Sequence, residues 1–182
     1  MLELLKQLCM LDGTSGDEGA VRDFVISQIK DYCEYKVDNL GNIIAFKKGK
    51  NIPKKKVLVD AHLDEVGLII THIEENGFLR FATVGGIDTA ALMFRRVLIN
   101  GKILGVIGGK PVHLCEGDER KKLPSPDSLY IDLGVSSKKE AEQLVSVGDC
   151  AIMCSDFTVI GDKVLAKALD DRVGCAIMAE LI

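Results

Sequence analysis

Val57-Leu58-Val59-Asp60-Ala61-His62-Leu63-Asp64-Glu65-Val66-Gly67 is the stretch that decides the fold. Its first five residues form an apolar run broken only by Asp60. Such a run suits a central strand covered on both faces, and it predicts a strand over Val57 to Ala61. His62 then stands at the carboxyl end of that strand, and open α/β sheets gather their sites at that edge.

Upstream, Leu4, Leu5, Leu8 and Leu11 form a helical stripe, broken by Asp12-Gly13-Thr14-Ser15-Gly16. Glu3, Lys6, Gln7 and Asp12 interrupt this segment, which is a helix pattern rather than a signal sequence. Ser15 and Glu18 have capping-box spacing and predict a second helix, with Val21, Phe24, Val25, Ile29 and Tyr32 on its apolar side. Two strands follow, Tyr35 to Asp38 and Ile43 to Phe46, joined by a turn at Asn39-Leu40-Gly41-Asn42. Six lysines between Lys47 and Lys56 surround Gly49 and Pro53 and read as a solvated loop.

Downstream the texture changes. From Leu68 to Ile160 short β patterns alternate with glycine turns such as Asn76-Gly77 and Gly85-Gly86. Val97 to Ile99 and Ile103 to Ile107, joined through Asn100-Gly101, carry a strong hairpin signal. One helix breaks the block, announced by a second capping box at Ser137 and Glu140. The block reads as a small β-barrel-like domain inserted into an α/β domain. The α/β texture returns near Gly161, and Val173 to Ile182 is an apolar helix with no stop signal, as a truncated chain would show. The expected organisation is therefore a first α/β part over 1–67, an inserted β-rich domain over 68–160, and a second α/β part over 161–182.

The 182 residues carry a net charge of −4 and are 47% hydrophobic, values of a globular protein with a real core. A pI near 5.4 disfavours nucleic acid or a membrane surface as partner, and no run approaches the length of a membrane span. Cys9, Cys33 and Cys175 lie in helical patterns and read as small buried hydrophobes. Cys150 and Cys154 have no second ligand pair at zinc-site spacing. This cysteine usage points to a reducing cytoplasm. His72 lies in a strand pattern and reads as a surface residue, and His113 follows Pro111 in the β-rich block and also gets an ordinary reading.

Two constellations carry chemistry. Residues i and i+2 lie on one side of an extended chain. His62 could therefore bind a metal through one ring nitrogen while Asp64 holds the other, fixing the tautomer. The ordinary alternative is a partly buried histidine beside a chance neighbour. In Lys167-Ala168-Leu169-Asp170-Asp171-Arg172-Val173-Gly174 two carboxylates precede a helix start. There a carboxylate meets free N–H groups and the positive end of the dipole, and its two oxygens could bridge two cations. The ordinary alternative is N-capping by Asp170 with Arg172 on the surface.

Taken in order, Asp12 to Glu18, Ala61 to Gly67 and Lys167 to Gly174 resemble the glutamyl and deblocking aminopeptidases, as do Gly101 to Gly109 and Arg120-Lys121-Lys122-Leu123-Pro124. These are co-catalytic metallopeptidases, some with the older labels cellulase M and endoglucanase. The resemblance implies the N-terminal portion of a metallopeptidase α/β/α domain interrupted by a β-barrel-like dimerisation domain. It implies peptide substrates, a homo-oligomer formed through the inserted domain, and two divalent ions, zinc or cobalt, bridged by an aspartate and a water. By motif position His62 would be a terminal ligand, Asp170 the bridging carboxylate and Asp64 the residue that orients His62, with a cis peptide between Asp170 and Asp171.

The family places its general-base glutamate and further ligands beyond the Asp-Asp-Arg motif, where this sequence has eight residues after Gly174, and Glu180 does not match. One imidazole and one carboxylate do not fill the coordination of two zinc ions. The expectation is an aminopeptidase chain that is truncated, of doubtful metal occupancy and inactive as it stands. The alternative is a non-enzymatic fragment whose β-rich domain mediates self-association. A glycosidase is disfavoured: it needs two facing carboxylates, whereas Asp64 and Glu65 are adjacent on an extended chain and point apart, and the chain has no Trp.

Overall fold

A computed structural model describes residues 1–51, 54–114, 117 and 124–182. Pro53 of the lysine-rich loop and Arg120 to Leu123 of the family-like stretch lie outside the described residues. The chain divides into two units, one of Val66–Cys154 and one of Met1–Glu65 with Ser155–Ile182.

The first is the expected barrel. Strands β3 (Gly67–Ile73), β4 (Leu79–Val84), β5 (Arg96–Ile99), β6 (Ile103–Gly108), β7 (Tyr130–Asp132) and β8 (Cys150–Met153) close in the order β3-β4-β7-β6-β5-β8. Closure leaves no unpaired sheet edge. The hairpin β5–β6 forms as its turn chemistry predicts, with Ile99 opposite Ile103 and positive φ at Asn100 (49°) and Gly101 (66°). Alternation fills the barrel: Val97, Ile99 and Ile107 point inward beside Leu68, Ile70, Leu79 and Ile131, while Leu104 and Val106 face out. Gly105 is one of the inward positions, and a Cβ there would sit 2.6 Å from Ile131 Cγ2, so the strand admits no side chain at that point. Arg80 on β4 ties down the segment before β7, donating to the carbonyls of Asp127 and Leu129 and pairing with Glu74 at 2.7 Å. The short helix α3 (Lys138–Ala141) starts at Ser137, whose hydroxyl accepts from the Glu140 amide, as the capping box predicts.

The second unit holds helices α1 (Leu2–Met10), α2 (Gly19–Ile29) and α4 (Leu169–Leu181) and two hairpins. The hairpins are β1 (Glu34–Val37) with β2 (Ile43–Phe46), and β9 (Thr158–Ile160) with β10 (Lys163–Leu165). Asp38 makes the β1–β2 turn by accepting from the amides of Leu40 and Asn42, and the Asn42 side-chain amide, with these backbone bonds, holds its carboxyl below its ordinary pKa. Leu8, Val21, Cys175 and Ala176 form the buried centre, with Leu4, Leu5, Phe24, Ala61 and Leu63 packed on it. Cys9 and Cys175 are buried, and burial pushes the Cys175 thiol up to about 11, so both are inert fillers as read from sequence.

Two expectations fail here. The second helix begins at Gly19 with Glu18 as N-cap and no side-chain cap, so Ser15 does not start it. Val57 to Ala61 belongs to no strand. Val57 and Leu58 are 86% and 87% exposed rather than covered. A strand exists only through its ladder bonds to a neighbour, and no described segment pairs with this run. No helix among the described residues is long and apolar enough to cross a membrane.

Hydrogen exchange should separate the two β regions. The amides of Ile103–Gly108 are expected to exchange through opening of the whole barrel, while those of 57–61 exchange close to the unprotected rate. Equal, slow exchange in both would show that the run is paired in solution.

Candidate metal centre

The site forms where the 57–65 run meets the loop after α1 and the start of α4. Glu65 fixes the end of the run: its amide donates to the Gly13 carbonyl at 2.8 Å, and it bridges Thr14 in parallel. Its carboxylate is almost fully buried. It accepts from Lys167 Nζ at 2.5 Å and lies 3.6 Å from Arg172 Nη2, an ion pair too long for a hydrogen bond. Lys167 also donates to the Leu11 carbonyl at 2.6 Å, and Arg172 Nη1 to that of Leu8 at 2.6 Å. Arg172 is fully buried, and among the described residues its Nε and Nη2 have no hydrogen-bond partner. Burial pushes its pKa down, and the Glu65 charge pushes it back up.

Asp64, one residue earlier, faces the other way. One of its oxygens accepts from the Ser15 hydroxyl, and the other lies 3.1 Å from His62 Nδ1. The Ser15 bond holds the Asp64 carboxyl below its ordinary pKa. The His62 carbonyl accepts from the Cys175 thiol at 3.3 Å, which ties the histidine backbone to α4. His62 Nε2 lies 3.1 Å from Asp170 Oδ1, across 108 residues of sequence. Burial alone would lower the imidazole pKa, but the bond to Asp170 and the contacts with Asp64 leave it raised.

The Asp170–Asp171 peptide is cis, as the resemblance implies. The two carboxylates divide their tasks. Asp171 Oδ1 accepts from the Gly174 amide at 3.0 Å and so caps the first regular turn of α4. A Cβ on Gly174 would sit 2.4 Å from that oxygen. The cap is therefore Asp171, not Asp170, and Arg172 is not a surface residue. The Asp170 side chain is 96% exposed and turned toward His62. Imidazole and carboxylate are donors that suit zinc or cobalt, and donor atoms 3.1 Å apart are compatible with bonds of ~2.0–2.2 Å to one ion. They fit part of a divalent site: among the described residues no group of three His, Cys, Asp or Glu is placed to hold an ion. His72 and His113 lie in the other unit and are exposed.

The family model of the M42 glutamyl aminopeptidases matches residues 41–182. The chain belongs to this family. The lysyl aminopeptidase of Pyrococcus furiosus is 35% identical over 186 residues, covering 98% of this chain and 53% of its own length. A TET aminopeptidase from a marine-sediment archaeon of the Thaumarchaeota superposes with a TM-score of 0.91 at 37% identity, over 98% of this chain and 52% of that one. The Pyrococcus horikoshii TET1 peptidase, described as assembling into a tetrahedron or a large octahedral shell, matches with a TM-score of 0.85 at 40% identity, over 98% and 54%. The M42 chain described here thus spans about half the length of the curated relatives it matches.

Sequence reasoning gave no part in the site to Glu65, Lys167 or Arg172, and read Ser15 as a helix cap and Cys175 as a buried filler, although all but Cys175 lie inside the quoted motifs. A buried charge is costly unless compensated, so removing Glu65 strands two cations. Glu65→Ala is expected to destabilise this unit by ~3–5 kcal/mol, read by urea unfolding followed by circular dichroism. A loss below about 1 kcal/mol, the size of an exposed pair, would show that the cluster does not hold the loop.

Proposed function

We propose that this chain supplies one side of the two-metal site of an aminopeptidase that removes N-terminal residues from peptides, with His62 and Asp170 as ligands and Asp64 orienting His62. The observation that carries the reading is the convergence of His62 and Asp170, with Asp64 behind the imidazole. Both acceptors beside Nδ1, the Asp64 carboxylate and the Asp64 carbonyl, favour a proton on that nitrogen. Nε2, facing Asp170 Oδ1 at 3.1 Å, would then offer its lone pair to an ion held between the two. Asp170 presents an exposed carboxylate on the same side, so its two oxygens are available to two ions. When bound, two zinc or cobalt ions supply an acidified water and a polarised scissile carbonyl. This chain's part is to hold the imidazole tautomer and aim one carboxylate.

One imidazole and one carboxylate leave two such ions under-coordinated. The 182-residue chain supplied with Zn2+ or Co2+ is therefore expected to release no p-nitroaniline from aminoacyl-p-nitroanilides. Turnover that His62→Ala or Asp170→Ala abolishes would show that its own ligands suffice. In an active longer protein carrying this sequence, Asp64→Asn should lower activity by about 10–100-fold, the scale of losing the partner of a ligating histidine.

A second reading rests on the barrel. It closes on itself and carries exposed Leu104 and Val106 on one strand, and the TET1 relative is an assembly. We propose that the barrel unit mediates self-association. Sedimentation velocity is expected to find the chain as a dimer or larger, and a strictly monomeric chain at every concentration reached would refute this.

A further inference from the structure

The Asp12-Gly13-Thr14-Ser15-Gly16 loop is held more tightly than a surface connection requires. Lys167 donates to the carbonyl that enters it, at Leu11, and lies 3.9 Å from Asp12 Oδ1. Glu65 pairs with Gly13 and Thr14 through its backbone. Gly13 is packed so closely that a Cβ would sit 2.7 Å from both Arg172 Nη2 and Val21 Cγ2. Gly16 leaves the loop with φ +92°, a conformation that favours glycine.

The fold does not use the side chain these contacts present. The Ser15 hydroxyl does not cap α2, whose N-terminus carries no side-chain cap, and the loop closes through other groups: Glu18 Oε1 accepts from the Gly16 amide at 2.7 Å, and the Asp17 amide donates to the Thr14 carbonyl at 2.7 Å. Ser15 Oγ donates instead to Asp64 Oδ2, across 49 residues of sequence. A carboxylate held at one oxygen by a hydroxyl, with the His62 Nδ1 3.1 Å from the other, cannot rotate without losing one of the two contacts. Asp64 is only partly buried, with 34% of its side chain exposed, so packing alone does not fix it.

We propose that Ser15 is a positioning residue for His62, acting through Asp64. This rests on the reading that Asp64 orients His62. The loop, anchored by Glu65, Lys167 and Arg172, is the rigid base from which the hydroxyl acts, and the order of contacts is Ser15, Asp64, His62, Asp170. The role is geometric: Ser15 sets the Asp64 rotamer, and Asp64 sets the ring plane.

The test is the side-chain rotamer distribution, read from three-bond NMR couplings of the isotope-labelled chain, for wild type, Ser15→Ala, Ser15→Thr and Asp64→Ala. Wild type is expected to show one dominant χ1 rotamer at Asp64 and at His62. In Ser15→Ala the minor rotamers of both should rise about tenfold, the lower end of the scale for losing one hydrogen bond to a charged group, with amide shifts outside the loop unchanged. Ser15→Thr should restore the wild-type pattern, which a purely steric role for residue 15 would not predict. Release of His62 in Asp64→Ala but not in Ser15→Ala would overturn the proposal and leave the role of Asp64 intact. A His62 that stays fixed in Asp64→Ala would refute the role of Asp64 itself, and the proposal with it.

Discussion

The Glu65 carboxylate, enclosed with the Lys167 ammonium and the Arg172 guanidinium, is the constraint on which the site depends. Taking three charges out of water is costly, and the attraction among them repays this only when their remaining hydrogen bonds are made. The two that are made reach the end of α1, through the carbonyls of Leu8 and Leu11, while among the described residues Arg172 Nε and Nη2 have none. One cluster therefore ties the first helix, the end of the 57–65 run and the start of α4 to a common point. The residues that flank it inherit their positions: Asp64 lies beside Glu65, Gly13 and Thr14 pair with its backbone, and Asp170 lies between Lys167 and Arg172 in sequence. A cluster of this kind adds little net stability, but it is sharply directional, and direction is what a ligand set needs.

The same separation of tasks recurs between neighbours. Glu65 is buried for structure, while Asp64 is left facing the imidazole. Asp171 closes the helix end, while Asp170 keeps its carboxylate in solvent. In each pair the two adjacent side chains go to different partners, so one carboxylate satisfies the fold and the other serves the site. A carboxylate cannot do both well, because the bonds that fix a structural acid also occupy its lone pairs.

What sequence could and could not foresee follows from the range of each interaction. The β5–β6 hairpin was legible because Asn100-Gly101 carries its own geometry. The Ser137 cap was legible for the same reason. Ser15 and Glu18 show the same spacing, yet the Ser15 hydroxyl is taken by Asp64, a partner far along the chain that local pattern does not reveal. Val57 to Ala61 has the composition of a buried strand, but composition reports only what a segment would bury, not whether a neighbour is there to pair with it. Arg172 looked like a surface residue because its counter-ion lies in another motif. The meeting of His62 and Asp170 is expected from the resemblance and from the strand-end position read for His62, since no periodicity spans 108 residues. The barrel as a class was plain from its turns, though its closing contact, β3 with β8, is long-range.

The two units differ in what sustains them. The barrel pairs every strand on both sides, and among the described residues its apolar centre holds fourteen buried side chains. The other unit has, among the described residues, a centre of four buried side chains, a charged cluster beside it, and an apolar run in which Val57, Leu58 and Val59 are more than half exposed. Each exposed Leu or Val forgoes ~1.5–3 kcal/mol of burial, against a total stability of ~5–15 kcal/mol for an ordinary domain. Three such residues account for a large part of that margin, and the exposed faces of the β1–β2 hairpin, at Tyr35, Val37, Ile44 and Phe46, add to the deficit. The site-bearing unit is thus the less stable of the two, and its order near His62 rests on specific polar contacts rather than on apolar depth. Polar contacts are short in reach and strict in geometry, so the loss of one displaces its neighbours, whereas a deep apolar core absorbs a small defect by repacking.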